Sequence, residues 1–210
     1  MTFGTAIVLL VVGSGGRTAW FASGFLGGAF LIVVCWMISD RTHHLTKGSR
    51  AESWTSELLR RQRGWTVVDH VPMDGFDIDH VAITPAAVLA VETKYYGPSE
   101  SVWPPPWHAK SVGQAADNAA HARALIVRSF KADVEVVPVL VLWGLGVPND
   151  LTASRVGTVW IVNGSRAGDF VYRWTTPTID PSLAANIRDK LQGFITRRDE
   201  YIVARGAPAR

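Results

Sequence analysis

Three ionisable side chains in two neighbouring segments form the pattern in this sequence that best fits catalysis. Asp79 precedes the dipeptide Pro85-Ala86, and Glu92 and Lys94 follow it. If this dipeptide is the loop of a hairpin, positions whose numbers add to 171 face each other, so Asp79 lies opposite Glu92. Lys94 shares their face because strand side chains alternate with period two. The spacing predicts two carboxylates and a lysine at one end of a hairpin.

This group of side chains suits a divalent metal ion. Two carboxylates held this close repel each other unless a proton or a cation lies between them. Oxygen ligands with an open face favour Mg²⁺ or Mn²⁺ over Zn²⁺, so we expect Asp79 and Glu92 to bind the ion. With Lys94 beside it, such a site can polarise a phosphodiester and stabilise the transition state. The alternative is a hairpin with solvated acidic ends.

The surrounding segments predict an α/β fold. Ser49 and Glu52 have the spacing of a capping box, which predicts a helix that begins at Ser49 and stops near Gly64. Three short strands follow, then a helix, two further strands and a closing amphipathic helix. The predicted bounds are 65–71, 77–84 and 87–94 for the first strands, 110–130 for the helix, 134–142 and 157–162 for the later strands, and 182–204 for the last helix.

Several other polar residues have two interpretations each. Glu52 either only caps its helix or also orients a metal ion or a water molecule. Gln114, Asn118 and His121 recur on one helix face, which suits contact with substrate phosphate and equally suits exposure to solvent. His80 points to the opposite face from the carboxylates, so we expect it to be packed or to support the site indirectly.

Five segments also carry a family resemblance: GSRAE (48–52), DIDHVAI (77–83), VETKYYG (91–97), Gln114-Ala115 and VVPVLVL (136–142). Together they resemble the nuclease-related domain, NERD, which is grouped with the PD-(D/E)xK phosphodiesterases. The resemblance covers about residues 47–145, and its most specific part is DIDH followed by ETK.

This resemblance implies a restriction-endonuclease-like core of order α-β-β-β-α-β. It implies Asp79, Glu92 and Lys94 as the catalytic set, with Glu52 and Gln114 as accessory catalytic residues. Two features depart from the family pattern without removing a catalytic group: Ala51 stands where the family often has glycine, and the loop at 98–107 is rich in proline and tryptophan.

The first forty residues are much more apolar than the rest. Residues 18–39 are an uncharged run of 22 residues, about 33 Å long as a helix, which is enough to cross a bilayer. Residues 2–16 form either a short first span or an apolar tail. Arg41, Lys47 and Arg50 follow the long run, so we expect the C-terminal domain to face the cytoplasm.

These features predict the domain organisation. We expect a membrane anchor over 1–40, a basic juxtamembrane linker over 41–48 and a nuclease-like domain over 49–205. Gly24 and Gly28 have the GxxxG spacing that permits close helix packing, so the anchor would allow a homodimer.

The composition limits the classes of function. At 210 residues, 48% hydrophobic and with a mean hydropathy of +0.13, the chain fits one domain plus an appendage and is too apolar to be disordered. The single cysteine, Cys35, excludes an intramolecular disulfide and a multi-cysteine zinc site. Residues 51–210 hold 17 basic and 17 acidic side chains, which disfavours a protein that coats nucleic acid through its overall charge.

The sequence therefore predicts a membrane-anchored, Mg²⁺-dependent or Mn²⁺-dependent nuclease, with DNA favoured over RNA as its substrate. The alternative is a non-catalytic module of the same fold that binds nucleic acid or a protein partner at the membrane. A small-molecule hydrolase lacks support, because the sequence has no nucleophile elbow, phosphate-binding glycine loop or HExxH motif.

Overall fold

The computed structural model describes residues 17–97, 103–104 and 108–204. The chain divides into two compact units, Met1–Lys47 and Gly48–Arg210. The helices are α1 Arg17–Arg60, α2 His108–Phe130, α3 Gly168–Tyr172 and α4 Pro181–Ala204. The strands are β1 Thr66–Pro72, β2 Asp77–Ile83, β3 Val88–Tyr95, β4 Val136–Trp143, β5 Ala153–Val156 and β6 Val159–Asn163.

The six strands form one mixed sheet in the order β1-β2-β3-β4-β6-β5. β1, β2 and β3 pair antiparallel, whereas β3, β4 and β6 run parallel and β5 is an antiparallel edge strand. Parallel neighbours need a long crossover connection, and α2 lies in the connection between β3 and β4. The predicted mixed α/β fold with a C-terminal helix is confirmed, while β5 and α3 were not predicted.

Apolar side chains cover both faces of this sheet. On one face, Leu59 of α1 packs in a cluster with residues of β1–β4 and β6 and with Phe170 of α3. On the other face, Ile126 of α2 and Ile187 and Leu191 of α4 pack against residues of β1, β2 and β3. The sheet is therefore the middle layer, and a side chain's parity along a strand decides which helices it meets.

The turn between β2 and β3 fixes their register. Thr84 and Ala87 close the turn with a backbone hydrogen bond of 3.0 Å. The recorded pairs run from Ile83–Val88 to His80–Val91. Each of these pairs adds to 171, as the two-residue loop predicts.

A segment far along the chain holds the same turn. The backbone N–H groups of Thr178 and Ile179 both donate to the carbonyl oxygen of Pro85, each at 2.9 Å. The Thr178 hydroxyl also donates to the carbonyl of Ala86, at 2.6 Å. We refer to Thr178 and Ile179 as the turn clasp.

The helix that precedes β1 begins much earlier than the sequence predicts. The capping box predicts a start at Ser49, but α1 is helical from Arg17 to Arg60, so that start is wrong and the predicted linker at 41–48 is helical. The physical reason is that residues 41–60 include no proline, and Gly48, their only glycine, costs a helix only about 1 kcal/mol.

Within the part of the chain that the structure describes, no helix combines the length and the apolar character needed to cross a membrane. The structure therefore does not support the span predicted at 18–39. The shorter first span considered at 2–16 lies outside the described residues.

Candidate active site

Asp79, Glu92 and Lys94 lie at the end of the β2–β3 hairpin that is far from its turn. β2 begins at Asp77 and β3 ends at Tyr95, so all three side chains stand near the strand ends. They share the parity of the apolar side chains that pack under α2 and α4. The sheet thus presents them at the rim of its second face, as the hairpin register predicts.

Asp79 is held at the point where the two strands stop pairing. The recorded ladder ends at His80–Val91, and the Thr93 backbone N–H then donates to Oδ2 of Asp79 at 2.8 Å. A side-chain oxygen therefore takes the place that a strand carbonyl would otherwise fill. Within the described part of the chain, Oδ2 is the only oxygen of the Asp79 side chain with a hydrogen bond.

Glu92 is buried, with 1% of its surface exposed. Lys94 Nζ donates to its Oε1 at 2.6 Å, and Asn118 Nδ2 of α2 donates to its Oε2 at 2.9 Å. Burial, followed by the nearby charge of Asp79, raises the pKa of Glu92, while Lys94 and Asn118 oppose that rise. The carboxylate is thus fixed in place and lies close enough to Asp79 to feel its charge.

Lys94 is the more accessible member of the buried pair. Its side chain is 34% exposed, whereas that of Glu92 is 1% exposed. The ammonium group can therefore keep its contact with Glu92 while one of its other protons faces a ligand.

Glu52 reaches the same region from α1. Burial, followed by the charge of Asp79, raises the pKa of Glu52, while His70, His80 and Lys94 oppose the rise. Glu52 also lines a cleft of about 500 Å³ between α1 and the ends of β1 and β2. The predicted accessory residue therefore lies within electrostatic range of Asp79 and Lys94.

A buried histidine and an aspartate form one wall of this cleft. His80 is 1% exposed and its Nδ1–H donates to Asp69 Oδ1 at 2.7 Å. Ser56 and Arg60 donate to Asp69 Oδ2 at 2.9 and 2.7 Å. Although burial opposes it, these hydrogen bonds hold the pKa of Asp69 well below its usual range. The expectation that His80 is packed on the other face is confirmed.

His70 is a residue that the sequence reasoning missed. It lines the same cleft as Glu52, and its backbone is in the left-handed region, with a φ of 51°. The β1–β2 pairs on either side are Asp69–His80 and Val71–Ile78, so His70 stands beside Asp79 without pairing to it. A non-glycine residue in this conformation leaves no signal in the sequence.

The polar stripe on α2 divides into three different environments. Asn118 is 2% exposed and holds Glu92. Gln114, one turn earlier, is exposed, and no hydrogen bond in the described part of the chain joins it to Asp79, Glu92 or Lys94. His121 is exposed and its ring nitrogen contacts the carbonyl of Asp117 at 2.8 Å. Asn118, and not the predicted Gln114, is therefore the α2 residue that the fold brings to the site.

The donor set fits a divalent cation at two carboxylates. Over the described ranges, no group of three or more His, Cys, Asp or Glu side chains is arranged to hold a metal ion. Asp79 and Glu92 nevertheless offer only oxygen atoms, and no hydrogen bond within the described residues occupies Oδ1 of Asp79. Burial and then the charge of Asp79 raise the pKa of Glu92, and a bound cation would offset both effects. The residues present therefore fit Mg²⁺ or Mn²⁺ with additional water ligands.

The comparison with known families is consistent with this geometry. No curated protein and no solved structure matches the chain at a significant level. Residues 47–143 match the family model described as the nuclease-related domain, NERD. The matched range contains Glu52, Asp79, Glu92, Lys94 and Asn118, and it ends with β4. The part of the chain that builds the candidate site is therefore similar to the nuclease-related domain.

Proposed function

We propose that this protein is a metal-dependent phosphodiesterase that cleaves nucleic acid, with DNA favoured over RNA. The observation that supports this most strongly is the buried Glu92–Lys94 pair beside Asp79, in a segment that matches the nuclease-related domain. A buried carboxylate, a second carboxylate beside it and a partly exposed lysine side chain are the groups that hydrolysis of a phosphodiester needs.

Asp79 and Glu92 would hold Mg²⁺ or Mn²⁺. When bound, the cation would neutralise the two carboxylates and stabilise negative charge on the phosphate oxygens. The Thr93 N–H and the Asn118 amide keep the two carboxylates in fixed orientations. The site would therefore lose little free energy to reorganisation when substrate binds.

Lys94 and Glu52 would act on the substrate and on water. The partly exposed Lys94 side chain would supply a positive charge where negative charge develops on the phosphate. Glu52, whose raised pKa makes its carboxylate a better base, is suited to orient a water molecule and accept its proton. The accessory role of Gln114 stays a prediction from the family pattern.

A cleavage assay on the full-length protein tests the proposal. Single-stranded, duplex and branched DNA and RNA are incubated with Mg²⁺, with Mn²⁺ and with EDTA. We expect metal-dependent cleavage, reduced about 100-fold or more by Lys94→Ala and by Lys94→Met, because the cation that stabilises the transition state is lost. Lys110→Ala, at an exposed lysine of α2, is the matched control and should cleave at the wild-type rate. Wild-type rates in both Lys94 variants would refute the proposed role of Lys94.

One observation favours the non-catalytic alternative. Both oxygens of Glu92 already accept hydrogen bonds from side chains, which is also what a purely structural buried carboxylate requires. A binding module built this way would retain nucleic acid in EDTA and leave it uncut with either metal. The same assay therefore separates the two functions.

We also propose that residues 18–39 attach the protein to the cell membrane, with the C-terminal domain in the cytoplasm. The uncharged sequence of residues 18–39 supports the attachment, and the basic residues that follow it support the orientation. Phe30, Leu31 and Ile32 of α1 are also 62–71% exposed, which favours an apolar environment around them. A reporter fused after Arg210 should be active only in its cytoplasmic form, and activity of a periplasm-dependent reporter would contradict this orientation. The homodimer through Gly24 and Gly28 stays a prediction.

A further inference from the structure

A second cleft, of about 660 Å³, lies on the sheet face that α1 covers. Tyr95, Trp143 and Asn163 line it, and these are the last residues of the parallel strands β3, β4 and β6. In open α/β sheets, ligands bind beside the carboxyl ends of the parallel strands. Its volume is in the range of small-molecule sites. We refer to it as the tryptophan cleft.

Two indole rings form the aromatic wall of the tryptophan cleft. The rings of Trp54 and Trp143 have centroids 5.5 Å apart and are tilted by 54°. Trp143 is immobilised, because its Nε1–H donates to Thr55 at 2.7 Å and Gly164 lies against its ring. A Cβ at position 164 would come within 2.2 Å of Trp143 Cε2, so the ring leaves no room for a larger residue. Trp54 is 42% exposed and can adjust to a ligand.

Polar groups with fixed directions complete the lining. The Asn163 side chain accepts from the Ser165 N–H at 3.0 Å and donates to the Pro148 carbonyl at 3.4 Å. Arg61 and Arg166 contribute guanidinium groups, and both residues are exposed. An aromatic wall can stack on the face of a base, an oriented amide can hydrogen-bond to the polar edge of the base, and guanidinium groups can donate to a phosphate.

The tryptophan cleft is connected to the candidate active site. Thr55, which fixes Trp143, also accepts a hydrogen bond from the Thr93 hydroxyl at 3.0 Å. The backbone N–H of Thr93 is the donor to Asp79. Glu57 and Arg61 line both this cleft and the cleft that contains Glu52. The two clefts are therefore adjacent, and hydrogen bonds through Thr55 and Thr93 join the indole wall to the strand end that carries Asp79.

We propose that the tryptophan cleft binds a nucleobase, with the attached phosphate near Arg61 and Arg166. The base belongs to a nucleotide next to the bond that is cleaved, and in this respect the inference rests on the proposed function. A free mononucleotide carries the same base and phosphate chemistry, so both sources are compared in the test.

The test measures binding in EDTA, where no metal-dependent cleavage occurs. Full-length protein is titrated with adenosine 5′-monophosphate and with a single-stranded deoxyadenosine hexanucleotide, by equilibrium dialysis. Trp54→Ala should weaken binding of the mononucleotide about tenfold or more, because stacking on the exposed ring is lost. Trp54→Phe keeps an aromatic ring and should restore most of the affinity. Trp103→Ala is the matched control, since Trp103 is 39% exposed and does not line the cleft.

The outcomes distinguish this inference from the proposed function. No binding of either ligand at millimolar concentration, or equal affinity of wild type and Trp54→Ala for both ligands, overturns the nucleobase site even if the protein cleaves nucleic acid. Binding that depends on Trp54, in a protein that never cleaves, supports the site and refutes the nuclease. Trp54-dependent binding of the hexanucleotide identifies the source as a strand, and binding of the mononucleotide alone identifies a free nucleotide.

Discussion

Replacing Thr55 by valine tests the hydrogen bonds that join the tryptophan cleft to the candidate active site. Thr55 is fully buried. Its hydroxyl donates to the Ala51 carbonyl at 3.0 Å and accepts from Trp143 Nε1 at 2.7 Å and from the Thr93 hydroxyl at 3.0 Å. Valine keeps the shape of the side chain but leaves both donors without this partner.

The size of the effect follows from these contacts. A buried donor without a partner costs about 1–3 kcal/mol, so two such donors should lower the free energy of unfolding by about 2–4 kcal/mol, with Trp143 at the lower end because it is only partly buried. In a chain of this length each kcal/mol shifts the melting temperature by about 2–4 °C. We expect Thr55→Val to melt about 4–16 °C below wild type.

The assay is thermal and urea unfolding of the full-length protein. Thr196→Val is the matched control, since the Thr196 hydroxyl also donates to the carbonyl four residues earlier but lies on an exposed part of α4. That variant should change stability by no more than about 0.5 kcal/mol. Adding Thr93→Val to Thr55→Val removes one of the two orphaned donors, so the double variant should be less destabilised than the sum of the single variants. If Thr55→Val costs no more than Thr196→Val, the hydrogen bonds through Thr55 contribute nothing to stability.

Three further predictions concern the carboxylates. Mg²⁺ should raise the melting temperature of wild type, because it binds the folded state. This response should largely vanish in Glu92→Gln. The glutamine amide still fits between Lys94 and Asn118 if the Asn118 amide group rotates by about 180°. An equal response would show that Glu92 does not bind the ion. Because folding raises the pKa of Glu92, metal-free wild type should lose stability as pH rises above about 4.5, and Glu92→Gln should lack this loss. The pKa of Asp69 is lowered by folding, so its contribution has the opposite sign: it is complete above about pH 4 and is lost on acidification towards its folded pKa. The melting temperature should therefore fall less steeply between pH 6 and pH 2 for Asp69→Asn than for wild type. Equal slopes would show that the hydrogen bonds of Asp69 contribute nothing to stability.

The central part of the candidate site is predictable because it is local. A two-residue hairpin loop fixes both the register and the parity of the strands, so Asp79, Glu92 and Lys94 follow from counting residues along one hairpin. Charge and polarity then indicate the chemistry of those three side chains. Their roles in catalysis stay predictions.

The remaining parts depend on how distant elements pack. Gln114 and Asn118 lie on one helix face in the sequence, and only the docking of α2 against β3 decides that Asn118 meets Glu92. The tryptophan cleft joins Trp54 of α1 to Trp143 of β4, and no local pattern relates these two positions. β5 is four residues long and mostly exposed, so it lacks the apolar alternation that would reveal a strand.

The turn clasp lies outside the segment that matches the nuclease-related domain, although it contacts a turn inside that segment. The family match ends at 143, whereas the residues that bind Pro85 stand at 178 and 179. A slip of one residue between β2 and β3 would turn Asp79 to the opposite face from Glu92, and the clasp anchors the end of the hairpin from which such a slip would start. A fragment cut at the family boundary would keep every candidate catalytic side chain and lose a contact that aligns two of them. Relatives that share residues 47–143 but differ afterwards would then need another way to hold the same turn.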